Sequence, residues 1–175
     1  MPNSDSNNVS VFNLDGTQIT GSPFATGSLP VGVAFDGTHT WVSNLNGNTV
    51  SVFNLDGTQI IGSPFTTGTH PGAGASDGTH MWVPNYFANT VSVFNLDGTL
   101  AGTYATGTGP YAVAFDGSHM WVTNYYANTV SVFNLDGSVG GTYNTGASPA
   151  LTAFDGSNMW VTNENDNTVS KFRIP

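Results

Sequence analysis

The chain has 175 residues, enough for one domain with a substantial core, and 38% hydrophobic with 12% aromatic residues predicts a packed interior and excludes disorder. Charged residues are only 7%, against ~25% in ordinary soluble domains, and Lys171 and Arg173 are the only basic side chains. Nucleic acid and anionic membrane surfaces are therefore excluded as partners, since almost nothing here neutralises phosphate.

The net charge of −9 has a local origin. Of the eleven acids, eight are the Asp of Asp-Gly pairs: Asp15, Asp36, Asp56, Asp77, Asp97, Asp116, Asp136 and Asp155. Asp-Gly is the strongest short-range hairpin signal, and a type I′ turn is expected at each. There is no cysteine, so disulfides and thiolate metal sites are ruled out. No apolar run approaches ~18 residues, so no transmembrane helix is expected, and no signal peptide is visible. Low charge with abundant Gly, Thr, Ser and Asn suits an extracellular or cell-envelope protein.

Taken along the chain, the first element is NNVSVFNLDG at 7–16, named strand c for its place in the repeat. After the Asp-Gly turn comes strand d, with its Gly and Phe24, and a Thr-Gly link. Strand a, VGVAF (31–35), leads through a second Asp-Gly turn to strand b, TWVSN (40–44), and a loop returns to c at 48–57. The order then repeats: a at 72–76, 111–115 and 150–154, b at 81–85, 120–124 and 159–163, c at 89–98 and 128–137. A worn c copy, NTVSKFRIP, occupies 167–175. The Val that opens VSVF stands at 9, 50, 91, 130 and 169, so the period is 41, 41, 39 and 39 residues. A period near 40 with four short strands reads as the blades of a propeller, 1–175 forming one domain. Strand c is apolar on both faces, as a sheet sandwiched between neighbours requires. Trp41, Trp82, Trp121 and Trp160 hold one equivalent position and read as packing between blades.

Strand c occurs five times and strands a, b and d four times each. The expected fold is an all-β propeller of four four-stranded blades, the N- and C-terminal strands sharing the closing blade. The N-terminal c–d hairpin, about 9–24, is then expected beside the terminal a–b strands, 150–163. Lys171, where other copies carry Val, would cost on the order of several kcal/mol unpaired in an inter-blade layer, which favours displacing the last copy to an edge. The alternative is exchange between two copies of the chain, closing one eight-bladed ring as a homodimer. Small residues such as Gly32, Ala73, Gly74 and Ala112 suit inner strands around a narrow channel.

The run PxxVAFDGxxxWVTNYxANTVSVFNLDG resembles the YVTN family of propeller repeats and is similar, more loosely, to NHL repeats and the virginiamycin B lyase group. The resemblance covers nearly the whole chain. It implies the propeller fold, which hosts binding modules, scaffolds and enzymes alike. It also places the b–c loops and d–a links on one face. The lyase group implies His and Glu converging with a magnesium ion at the axis. This chain has one Glu, and no residue of that set can be carried over.

The b–c loops differ from blade to blade: LNGN (45–48), YFAN (86–89), YYAN (125–128) and ENDN (164–167). Variation on one face of a repeated scaffold is where binding resides. The candidate partner-binding residues are Tyr86, Phe87, Tyr111, Tyr125, Tyr126 and Glu164, with His70 nearby. The competing reading is that these rings cap the blade ends and shield the core. His39, His80 and His119 share one repeat position beside the a–b turns. They read as exposed turn residues, because zinc would need all three to converge. Glu164 and Asp166 are candidate calcium ligands, but the loop pattern is incomplete. No catalytic residue, metal or cofactor is assigned. The expected function is a non-catalytic module that binds a protein, peptide or glycan. The alternatives are a metal-dependent lyase- or hydrolase-like enzyme and a purely structural surface-layer module.

Overall fold

A computed structural model describes residues 1–174. It is all-β apart from one 3₁₀ turn, Ser4–Ser6. The first sheet holds β1 (Pro2–Asn3), β2 (Asn8–Val9) and β3 (Phe24–Ala25). The second holds β4 (Pro30–Phe35), β5 (Thr40–Asn44), β6 (Thr49–Phe53) and β7 (Phe65–Thr66). The third holds β8 (Ala75–Ser76), β9 (His80–Asn85), β10 (Thr90–Asn95) and β11 (Leu100–Ala105). The fourth holds β12 (Pro110–Phe115), β13 (Met120–Asn124), β14 (Thr129–Phe133) and β15 (Val139–Asn144). The last holds β16 (Pro149–Phe154), β17 (Asn158–Asn163) and β18 (Thr168–Arg173). All pairing within sheets is antiparallel and sequential, the up-and-down meander of propeller blades.

The sheets pack through apolar layers. Trp41 lies 5.9 Å from Phe94 of the following sheet, Trp82 5.9 Å from Phe133, and Trp121 5.6 Å from Phe172. In the three middle blades the Val pair of strand c points the same way as the Trp, so Val50 and Val52 join Trp41 against Met81, Val83 and Phe94. The intervening Ser is buried on the opposite face but satisfied. Asn44 Nδ2 donates to Ser51 Oγ at 3.0 Å and to Thr49 Oγ1 at 3.0 Å, and Asn85, Asn124 and Asn163 repeat the pair. A bonded polar group is far less costly in a buried layer than an unpaired one. The Leu of the repeat does not belong to the buried face: it sits in the c–d turn, with Leu14 and Leu55 exposed.

The inner strands approach closely. A Cβ on Gly32 would lie 2.6 Å from the Cα of Ala73, so only glycine admits the neighbouring backbone there. Ala73 in turn bridges Ala112 in parallel. Strands d of the first two repeats are short because Pro23 and Pro64 have no N–H for the ladder. The serines before them help, Ser22 Oγ and Ser63 Oγ each accepting a strand c N–H at 2.9 Å.

Two expectations are corrected. First, the shared closing blade does not form: among the described residues, no strand of the first sheet pairs with one of the last. Pro2↔Val9 and Asn3↔Asn8 pairing gives the first strand c its own strand b, so that edge is not offered to the terminal a–b strands. The segment PNSDSNNVS at 2–10 matches PNYFANTVS at 84–92, a fifth b–c unit legible in the sequence. The last strand c, β18, does stand at a sheet edge as expected, with Lys171 opposite Trp160 in the ladder and its Nζ 5.0 Å from the centre of that exposed ring. Second, the Asp-Gly turns are of two other kinds. In the a–b turns only the Gly has positive φ (Gly37, +100°), at the first central position as in type II′. In the c–d turns Gly57 N–H bonds Asn54 C=O, and Gly57 (φ +86°) closes a type I turn with a bulge.

Candidate binding face

Antiparallel pairing puts the a–b and c–d turns at one end of every sheet and the b–c loops and d–a links at the other. At the turn end each Asp that precedes strand b has a second role. Its Oδ2 accepts the indole N–H of the blade's Trp, at 2.7 Å for Asp36–Trp41, 2.8 Å for Asp77–Trp82, 2.7 Å for Asp116–Trp121 and 2.6 Å for Asp155–Trp160. Its Oδ1 accepts backbone N–H groups of the turn, such as Thr38 and His39. Burial pushes the Asp36, Asp77 and Asp116 carboxyls up, but these hydrogen bonds outweigh it and hold them below the usual value of 3.8. His39, His80 and His119 each face the Asp of their own turn, with Nδ1 to Oδ2 at 3.3, 3.4 and 3.4 Å, and so remain one per sheet. Among the described residues no group of three or more His, Cys, Asp or Glu is arranged to hold a metal ion.

At the other end a repeated clamp fixes the loops. The Asn that opens each NTVS segment is left-handed: φ is 52° at Asn48, 56° at Asn89 and 55° at Asn128. Asn tolerates this conformation, and it aims the side chain across the d–a link. Asn48 Oδ1 accepts the His70 N–H at 2.9 Å, Asn89 Oδ1 that of Gly109 at 2.9 Å, and Asn128 Oδ1 that of Ser148 at 2.8 Å. The b–c loops then bond to the same links: Tyr86 N–H to His70 C=O at 2.9 Å, and Tyr125 N–H to Gly109 C=O at 2.8 Å.

On this frame the candidate residues come together. Tyr86 is the hub, with ring centres 5.1 Å from Phe87, 6.0 Å from Tyr111, 6.4 Å from Tyr125 and 5.5 Å from Tyr126. Tyr111 lies 5.8 Å from Tyr125, and Tyr125 lies 5.3 Å from Tyr126. The Tyr125 hydroxyl donates to Glu164 Oε2 at 3.0 Å, so all six residues form one cluster across three sheets. Burial, aided by Tyr126 and the other phenols, pushes the Tyr86 hydroxyl well above its ordinary value. Phe87 and Tyr126 remain exposed, at 58% and 60%. Asp166 is engaged elsewhere, accepting the Ala147 N–H. Beside the rings opens a cavity of about 490 Å³, walled by Tyr86, Phe87 and Tyr111 with His70, Leu45 and Leu151. Motif reasoning does not single out Leu45 or Leu151. Leu151 holds the repeat position of Gly32, Ala73 and Ala112, where the other blades carry a small residue, and that departure is present in the sequence.

No profile of a known family matches the sequence, and no curated protein matches it. Solved structures do. Virginiamycin B lyase from Staphylococcus aureus superposes with a TM-score of 0.85 at 18% identity, over 98% of this chain and 61% of that one. A catalytically inactive form of that lyase with quinupristin aligns at a TM-score of 0.77 and 19% identity, over 100% of this chain and 69% of that one. The computationally designed Ika4 protein aligns at 0.71 and 14% identity, over 90% and 96% of the two chains. The fold is that of a β-propeller. At these identities the likeness extends to the fold alone, and the chain spans 61% and 63% of the first two lyase structures. No helix among the described residues is long and apolar enough to cross a membrane.

Proposed function

We propose that this chain is a non-catalytic binding or scaffold module built from YVTN-type repeats, recognising a protein, peptide or glycan partner through the face that carries the b–c loops. The observation that carries this reading is the aromatic cluster around Tyr86, beside an open cavity of about 490 Å³. Exposed clustered aromatics with a concave neighbour are the common form of a recognition surface. The similar lyases make an enzyme the competing reading. Against it stand the placement of His39, His80 and His119 at the opposite end and the engagement of the only Glu by Tyr125. An extracellular or envelope location goes with this reading, on composition. Peptide and glycan arrays test it: binding should be lost on Tyr125→Ala with Tyr126→Ala at an unchanged melting temperature. Binding that survives the double change refutes its placement on this face, and absence of binding by the parent refutes the reading and favours a purely structural module.

A second observation favours self-assembly. Trp160 is 37% exposed, whereas Trp41, Trp82 and Trp121 are 2%, 0% and 6% exposed under the next sheet. Phe12, whose equivalents receive a Trp, is 44% exposed on the first sheet. We propose that these two faces pair between two copies of the chain, as Trp121 and Phe172 do within one. Light scattering should show mass rising with concentration, and a single-chain mass throughout, unaltered by Trp160→Glu, refutes it.

A further inference from the structure

The cavity also carries information about the chemistry of its guest. Its three aromatic walls are inclined to one another, Tyr86 at 59° to Phe87 and at 73° to Tyr111, with the His70 imidazole 4.4 Å from Phe87 at 62°. Rings set at such angles form a corner that surrounds a compact guest. They do not offer the flat platform on which a sugar ring stacks. The remaining wall is apolar, with Leu45 and Leu151 on it, and supplies few of the donors and acceptors a glycan needs.

Electrostatics narrows the class further. The chain carries a net charge of −9, and its only two basic side chains, Lys171 and Arg173, lie on the last strand, outside the cavity wall. An anionic guest is therefore disfavoured. The Glu164 carboxylate accepts the Tyr125 hydroxyl at 3.0 Å, and Tyr125 packs 5.8 Å from Tyr111. Tyr125 and Glu164 stand behind the cavity wall, so the carboxylate acts on a guest through its field. The corner thus combines several aromatic faces, a negative field and a dry wall, the combination that attracts a cation with an apolar exterior.

We infer that the cavity takes a quaternary ammonium group, either as a free small cation or as a trimethylated lysine side chain of a partner polypeptide. The inference rests on the reading of this face as the binding face and names the group it recognises. Size suits it as well: a cavity of about 490 Å³ holds a trimethylammonium headgroup, and its substituent leaves past the exposed Phe87.

The experiment is a calorimetric or NMR titration of the whole chain with choline and with its neutral isostere 3,3-dimethylbutan-1-ol. Choline should bind at least about ten-fold more tightly than the alcohol, since the two share shape and differ in charge. Tyr111→Phe should keep the affinity, and Tyr111→Leu should lower it about ten-fold at an unchanged melting temperature. A short peptide with trimethyllysine separates the sources: tighter binding than choline assigns the side chain of a partner, and equal or weaker binding assigns the free cation. Equal affinity for choline and the alcohol overturns the inference while leaving a binding face in place. Absence of binding by choline and by the peptide overturns it too, and the array experiment then decides separately whether the face binds anything.

Discussion

The two ends of each blade solve different problems. At the turn end the same device recurs four times: an Asp bonds the indole of Trp41, Trp82, Trp121 or Trp160 at 2.6–2.8 Å and caps its own turn. At the loop end the Asn clamp recurs, but what it holds changes from Leu45 to Tyr86–Phe87, Tyr125–Tyr126 and Glu164. A contact made identically in every blade is required by packing, which every blade shares. Side chains that differ while their backbone stays fixed are free of that requirement, and function can be placed on them. The contrast also separates two kinds of Asp-Gly. Asp36, Asp77 and Asp116 are buried under Trp, whereas Asp56, Asp97 and Asp136 are exposed in c–d turns and their carboxylates bond only their own turn residues.

That division is broken most forcefully at Trp82, which is 0% exposed and packs on Phe133. Trp82→Ala should cost about 3–5 kcal/mol in denaturant unfolding, and a loss below about 1 kcal/mol contradicts the packing account. Next comes its partner: Asp77→Ala strands the buried indole N–H and should cost about 2–3 kcal/mol, while Asp97→Ala in the exposed turn should cost about 0.5 kcal/mol or less. Equal losses at the two sites would erase the distinction between the turns.

Acid should act through the same carboxylates. Asp36, Asp77 and Asp116 titrate below 3.8 when folded, so their contribution is complete above the unfolded value and is lost as pH falls through the folded ones. Melting temperature should hold from neutral pH to about 5 and fall steeply below about 3.5, and a fall already complete at pH 5 assigns the loss to other groups. The smallest effect belongs to the loop end. Tyr125→Ala with Tyr126→Ala should change stability by no more than about 1 kcal/mol, measured by thermal melts, since exposed loop tips contribute little to the core.

Much of this architecture is legible in the amino-acid sequence. Period, strand order, the Trp layer and the aromatic loops emerge from spacing, because a repeated blade imposes one pattern on every copy. Three features do not. The indole–carboxylate bond joins Asp36 to Trp41 across a turn that looks complete without it, since Asp-Gly already explains an Asp. The Asn44–Thr49–Ser51 pair depends on a side chain crossing between strands, and periodicity alone assigns Ser51 only to a face. The first strand b is two residues long, Pro2–Asn3, too short for propensity to register, and only alignment with Pro84–Asn85 reveals it. The cavity lies further from reach, because its walls come from four sheets and two kinds of link.

The most direct test of the division between ends is a map of backbone amide shifts on titrating the chain with choline. The account predicts changes gathered at His70, Tyr86–Phe87, Tyr111 and Tyr125–Tyr126, with the amides of Thr38–His39, Thr79–His80 and Ser118–His119 unmoved. Shifts centred on those turns, or spread evenly over both ends, would contradict it.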